Sequence, residues 1–303
     1  MNRIVLGGLN GTNPLGFLAA LGLLRLLEGK SNLARLGFLS DGSFHPFVEG
    51  FDGDLASLVS DNAALAKEKQ AWHLEYKKQE KKGVKIVADL KAPPLVFRDF
   101  LSSCVERWCT GEAEAVAYAA AFGTNVAVDK TKNKNTKPTA FHFTAANQQF
   151  LGTVEAIRAL VSHEWVKRSL FDGRTARPGL NLRWDPAAER NWALMANNPN
   201  DDGTSVDAPL EWLAFRGLPL FPSFPCGARI ITTAVSGGGD DMALTWPLWS
   251  VPISLKTARS ALQMIWTGAS QDRAMRGVFA VCTSEIRRTS QGFGNFSPAT
   301  VSS

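Results

Sequence analysis

Between Asn13 and Gly29 the chain carries a segment that restricts how the remainder can fold. Asn13 is placed to cap a helix whose first residue is Pro14, where a missing N–H costs nothing. Leu15, Phe17, Leu18, Leu21, Leu23, Leu24, Leu26 and Leu27 then cover nearly every face, and Gly29 supplies a stop. A helix apolar all round belongs inside a core. Gly16 and Gly22 lie near opposite faces and point to close approach of neighbouring elements. Before it, Ile4-Val5-Leu6 reads as a short strand, followed by a turn at 7–12.

A chain of 303 residues has ample length to bury such a helix, as one large domain or two modest ones. With 45% apolar and 20% charged residues, disorder is excluded. The apolar run is interrupted by glycines and Arg25 and is too short to span a bilayer, and the only early basic residue is Arg3. We therefore expect a cytoplasmic chain with no membrane partner. The four cysteines, Cys104, Cys109, Cys226 and Cys282, show no C-x-x-C spacing and are expected reduced and mostly buried. His45, His73, His142 and His163 lie too far apart in sequence for a local ligand pair, so no metal and no cofactor are expected.

Short strands and turns are expected over 31–50, then one long helix from about Leu55 to Lys82 and a strand over 83–90. Helices follow at 95–108, where Phe97, Phe100, Leu101, Val105 and Trp108 are spaced for one face, and at 112–122. The polar, basic run 129–138 reads as a loop. Phe141 and Phe143 suggest a strand, 153–170 a helix, 210–217 a short helix and 219–225 an extended piece. Strands at 230–235 and 244–251 flank the Ser236-Gly-Gly-Gly-Asp-Asp241 turn. The last helix is expected over 257–268, and 287–303 reads as a loosely packed tail. Without regular βαβ alternation the order argues for an α+β fold, with mixed helices and short, mainly antiparallel sheets around a buried N-terminal helix. Two lobes are expected: 1–170, with the buried helix and basic loop, and a Trp/Pro-rich lobe at 171–303 whose Trp184, Trp192, Trp212, Trp246 and Trp249 are mostly core.

Catalytic motifs are missing: no phosphate-loop G-x-x-x-x-G-K-[ST], no G-x-G-x-x-G after a strand, no G-x-S-x-G, no H-E-x-x-H. Asp240 and Asp241 resemble the paired carboxylates that hold Mg²⁺, a pattern equally suited to a hairpin loop. Basic residues, by contrast, cluster. Lys+Arg number 33 against 28 Asp+Glu, a net charge of +5. One group is Lys77, Lys78, Lys81, Lys82, Lys85 and Lys91; a second is Lys130, Lys132, Lys134 and Lys137; a third is Arg287-Arg288 ahead of Phe293 and Phe296. Lysines on loops meet a phosphate backbone as solvated point charges, and an arginine-plus-phenylalanine tail suits base stacking. In Arg183-Trp-Asp185, the side chains of Arg183, Asp185 and Arg190 are placed to pair with one another.

Asn13-Pro-Leu-Gly-Phe-Leu-Ala-Ala-Leu-Gly-Leu-Leu-Arg25 resembles an N-terminal signature, Asn-Pro-x-x-x-(Leu/Phe)-Ala-x-x-Gly-Leu-Leu, of CRISPR-associated proteins of type I-G (formerly I-U) interference systems, in their large-subunit-like or accessory members. Arg183-Trp-Asp-Pro-Ala-Ala-Glu-Arg190 and Glu211-Trp-Leu-Ala-Phe-Arg-Gly-Leu-Pro-Leu-Phe-Pro222 point the same way. The resemblance implies a component of a crRNA-guided surveillance complex. Guide pairing reads sequence in such complexes, while protein holds backbones. The expected partners are crRNA or target DNA and other effector subunits, including the system's helicase–nuclease, to which cleavage would fall. The leading expectation is thus a non-enzymatic nucleic-acid-binding subunit acting in antiviral defence. A protein–protein adaptor, or a nuclease using Asp240 and Asp241, are the alternatives.

Overall fold

The computed structural model describes residues 2–66, 71–80, 83–129, 134–144, 147–173, 175–188, 204–266, 270–288 and 293–303. Strand β1 (Arg3–Val5) leads through a tight turn into helix α1 (Pro14–Glu28), and Asn13 Oδ1 caps the helix by accepting from the N–H groups of Leu15 (2.9 Å) and Gly16 (3.3 Å). Thirteen of the 15 residues of α1 are buried; Arg25 and Glu28 alone reach towards the surface. Strands β2 (Arg35–Phe38) and β3 (Pro46–Glu49) join β1 in an antiparallel sheet of order β1-β3-β2. Helix α2 (Leu55–Leu65) is capped by Asp54.

The long helix expected over 55–82 is not formed. After α2 the chain makes an antiparallel hairpin of β4 (Tyr76–Glu80) and β5 (Gly83–Val87). The Lys/Glu-rich composition favours helix locally, but Gly83 sits at φ +127°, where a side chain is strained, and Tyr76, Val84, Ile86 and Val87 have strand propensity. Helix α3 (Pro94–Cys109) buries Phe97, Phe100 and Cys104, while Val105 and Trp108, expected on its inner face, are exposed. Helix α4 (Ala113–Phe122) runs directly into β6 (Gly123–Val128), which pairs with β7 (Thr136–Pro138). The basic loop is therefore strand at its end.

Phe141 and Phe143 lie outside any strand, fully buried in an irregular segment whose backbone carbonyls take side-chain donors. Helices α5 (Phe150–Leu160) and α6 (His163–Lys167) follow, the latter running on into a π-turn at Arg168–Asp172. The two-residue strands β8 (Arg177–Pro178) and β9 (Ser205–Val206) pair with each other. All ten residues of α7 (Ala208–Gly217) are buried, with Asp207 at its N-cap.

Strands β10 (Ser223–Cys226) and β11 (Arg229–Thr232) form a hairpin. The strand expected over 230–235 breaks at Ala234, whose φ is +65°, and resumes as β12 (Val235–Ser236). β12 pairs across the glycine turn with β13 (Ala243–Trp249). Helices α8 (Leu255–Leu262) and α9 (Ser270–Met275) precede the long strand β14 (Val278–Arg288). The expected loose tail is instead sheet: β15 (Gly294–Phe296) and β16 (Thr300–Ser302) both pair with β14, and Phe296 is fully buried against Phe141 and Phe143. The fold is α+β.

Helices α1 and α7 cross at very short range. A Cβ on Gly22 would lie 1.7 Å from the Leu213 carbonyl oxygen, and one on Gly217 2.7 Å from that of Leu18. Glycine at both positions lets two backbones touch, and the helices, from opposite sides of residue 170, share one hydrophobic core. Trp184, Trp212, Trp246 and Trp249 are core residues; Trp192 lies outside the described residues. All four cysteines are free thiols, but only Cys104 and Cys282 are buried, and Cys109 and Cys226 are exposed. Among the described residues no helix is long and apolar enough to cross a membrane.

Candidate nucleic-acid interface

The β4–β5 register sets which lysines share a face. Lys78 stands opposite Lys85, and Lys77 opposite Ile86. Side chains alternate along a strand, so Lys77, Gln79, Val84 and Ile86 occupy one face, and Tyr76, Lys78, Lys85 and Val87 the other. Val87 is buried and Tyr76 partly so at the base of the hairpin, while Lys77, Lys78, Lys85, Val84 and Ile86 are exposed. Two ammonium groups directly opposite each other across strands repel, so this register is unfavourable for the Lys78–Lys85 pair by itself.

The base of the hairpin is tied to the second lysine group. Tyr76 Oη donates to the Lys91 carbonyl (3.0 Å), and Asn135 Nδ2 donates to the same oxygen (2.9 Å). Thr136 extends the seam: its N–H reaches the Ala92 carbonyl at 2.9 Å, and its hydroxyl lies 3.0 Å from the carbonyls of Leu90 and Ala92. Lys134, exposed at φ +53°, therefore sits beside residues 90–92. Lys137 Nζ donates to the Ala228 carbonyl (2.8 Å).

The third group arrives through a buried acid. Asp89 Oδ1 accepts from the Lys91 N–H (2.8 Å), Oδ2 accepts from the Phe150 N–H at the start of α5 (2.8 Å), and His142 Nε2 lies 3.0 Å from Oδ1. Arg288 donates from Nη1 to the His142 carbonyl and from Nη2 to the Ala140 carbonyl, each at 3.1 Å. Burial alone would raise the Asp89 carboxyl; the His142 contact and the two backbone N–H groups outweigh it and hold the carboxyl below its ordinary value. Burial holds His142 below its ordinary value, against the charge and hydrogen bond of Asp89, which raise it; the Lys91 and Arg288 charges add to the lowering. The pair is a structural bolt that fixes residues 89–92 against 140–144.

The first two basic groups thus meet around residues 89–92, whereas the third is linked to them only through backbone, by way of His142 and Asp89. Lys81, Lys82, Lys130 and Lys132 lie outside the described residues. Arg287, exposed, contacts Glu285 at 3.4 Å, whereas the Arg288 guanidinium is turned onto backbone carbonyls. Phe293 lies under the guanidinium of Arg183 at 4.4 Å, and Phe296 is core. Arg183 therefore engages the C-terminal segment, and Asp185 binds Asn13 Nδ2 (3.3 Å); Arg190 lies outside the described residues.

Asp240 and Asp241 end a single 3₁₀ turn, Gly239–Asp241, between β12 and β13. Among the described residues no group of three His, Cys, Asp or Glu side chains is placed to hold a metal ion. Asp89, His142 and Asn135, which organise the basic surface, were not singled out as site residues from sequence, because 53 positions separate Asp89 from His142. No model of a protein family and no curated protein matches this chain.

Proposed function

We propose that this protein is a non-catalytic nucleic-acid-binding subunit, or accessory protein, of a type I CRISPR interference complex in antiviral defence. It would act in the cytoplasm on crRNA or target DNA, alongside other effector subunits. The observation that carries the nucleic-acid part is the exposure of Lys77, Lys78 and Lys85 on a hairpin whose base is tied through the Lys91 carbonyl to Asn135, next to the exposed Lys134. Exposed lysines set side by side suit a sugar–phosphate backbone, read without regard to sequence. The assignment to a CRISPR complex rests on the three motif stretches, which come together in the fold: Asn13 Nδ2 donates to Asp185, and the Leu182 N–H donates to Glu211 (3.2 Å).

Fluorescence anisotropy on single-stranded RNA and duplex DNA over a salt series tests the binding. Affinity that falls steeply with salt supports it; affinity independent of salt removes the electrostatic reading.

A second reading, an adaptor that recruits the system's helicase–nuclease, is favoured by one feature. A cleft of about 630 Å³ beside α8 and α9 is lined by Trp249, Val251, Met264, Trp266 and Met275, with Met275 exposed. Exposed methionines suit a protein-docking surface. That reading predicts co-purification with the helicase–nuclease, lost in Met275→Glu, and no affinity for nucleic acid alone.

A further inference from the structure

The cleft of about 630 Å³ beside α8 and α9 is built from one stripe of α8 and one glycine turn. Thr257, Ser260, Ala261 and Met264 recur at i, i+3, i+4 and i+7, so they share one side of α8 and of the turn that continues it. Leu255, Ala258 and Leu262, on the other side, are buried in the core. Gly277 follows α9 at φ +74°, and its carbonyl accepts from the Ser250 N–H (3.2 Å). That turn sets Met275 and Arg276 on the lining together with Trp249, Val251 and Val278.

The polar groups of these walls are engaged elsewhere. Trp249 Nε1 donates to the Leu36 carbonyl (2.6 Å) and Trp266 Nε1 to that of Ala261 (2.9 Å), so both indoles offer the cleft ring surface only. Ser260 Oγ donates to the Lys256 carbonyl (3.3 Å), and the Thr257 hydroxyl lies 3.0 Å from that of Ser254. Apolar surface is nevertheless left in water: Met275 is 80% exposed and Val251 60%. A volume of this size with such walls is that of a small-molecule site, and exposed apolar surface gathered in one place calls for a cover.

Charge is one-sided here. Among the described residues Arg276 is the one charged side chain on the lining, and no acid stands beside it there. Between 250 and 278 the sequence holds a single acid, Asp272, against Lys256, Arg259, Arg273 and Arg276. Arg276 Nη1 lies 3.8 Å from Met264 Sδ, a weak contact that keeps the exposed guanidinium at the cleft without neutralising it. Apolar walls with one cation at their edge describe a ligand with an apolar body and one anionic end.

We propose that this cleft binds a small amphipathic anion, an apolar chain ending in a carboxylate, with the chain against Trp249, Trp266 and Met264 and the carboxylate at Arg276. Such a site is independent of the basic surface and competes with a docked protein for the same walls.

Isothermal titration of the full chain with decanoate, decanol and decyltrimethylammonium, each below the concentration at which it forms micelles, tests the proposal. Decanoate is expected to bind most tightly, about fivefold ahead of decanol, the worth of one exposed ion pair. Decanoate brominated at its far end should quench part of the tryptophan fluorescence, because Trp249 and Trp266 line the cleft. Arg276→Gln should erase the preference for decanoate over decanol and leave the affinity for decanol as it is. Met275→Glu, at an exposed position, should weaken both. Absence of decanoate binding at about 1 mM overturns the proposal. So does wild-type affinity for decanoate in both Arg276→Gln and Met275→Glu. Decanol or decyltrimethylammonium binding as tightly as decanoate overturns the anionic end. A helicase–nuclease that co-purifies through Met275 and is not displaced by decanoate gives the cleft to a protein and overturns the proposal as well.

Discussion

The centre of the molecule and its basic margin use polar groups in opposite ways. At the centre, where α1 crosses α7, polar atoms are tied inward: Asn13 to Asp185, Glu211 to the Leu182 N–H, Trp184 Nε1 to the Phe141 carbonyl (2.8 Å) and Trp246 Nε1 to that of Gly11 (2.9 Å). At the margin, the β4–β5 hairpin presents Lys77, Lys78 and Lys85 outward beside exposed Val84 and Ile86. The centre gives up solvation to fix a shape. The margin places like charges side by side at the surface, which under the proposed function serves a phosphate backbone rather than the fold.

The sharpest separation of the two should come from pH. Burial pushes the Glu211 carboxyl up to about 8, with Asp185 and Asp207 adding to the effect against the Leu182 N–H. A raised carboxyl means the folded chain holds its proton where the unfolded chain has lost it. Stability from this group is therefore present below the ordinary value of 4.5 and is lost as pH rises towards 8. Denaturant unfolding should show a fall of about 5 kcal/mol across that window, flattened in Glu211→Gln. An unchanged pH profile in Glu211→Gln would mean the centre is less closed than its geometry implies.

Gly22→Ala comes next. A methyl there must displace the Leu213 carbonyl, and the helices must separate, at an expected cost of at least about 3 kcal/mol in chemical denaturation. A cost near that of a surface substitution would show that the crossing is looser than described.

The smallest effect on stability belongs to the margin. Lys85→Glu places an opposite charge across from Lys78 and should stabilise the hairpin by about 0.5 kcal/mol. The same change should weaken nucleic-acid binding and make the salt dependence shallower by about two counterions. Stability and binding moving in opposite directions is what distinguishes a functional charge cluster from an incidental one.

Much of the centre was legible in the sequence. Asn13-Pro14 marks a helix start by capping chemistry, leucines and phenylalanine on nearly every face mark burial, and Gly22 marks close approach, because each depends on residues close together in the chain. Of the hairpin, the alternation over 83–90 marks β5, but β4 was not legible, since Lys and Glu favour helix in isolation and pairing of Tyr76 with Val87 decides the matter only in tertiary context. The buried tail was missed for a related reason: Phe296 finds Phe141 and Phe143 across more than 150 residues. The basic clusters were visible as composition, but the link between 89–92 and 140–144 runs through Asp89 and His142, whose roles appear only when the two segments lie side by side.

The most direct test of the account is the salt dependence of nucleic-acid binding, compared between the wild-type chain and Lys85→Glu. The account predicts binding at about 50 mM salt, a linear log–log decline with a slope of about −3 or steeper, and a shallower slope in the variant. Equal slopes, or no binding by the wild-type chain at low salt, would contradict it.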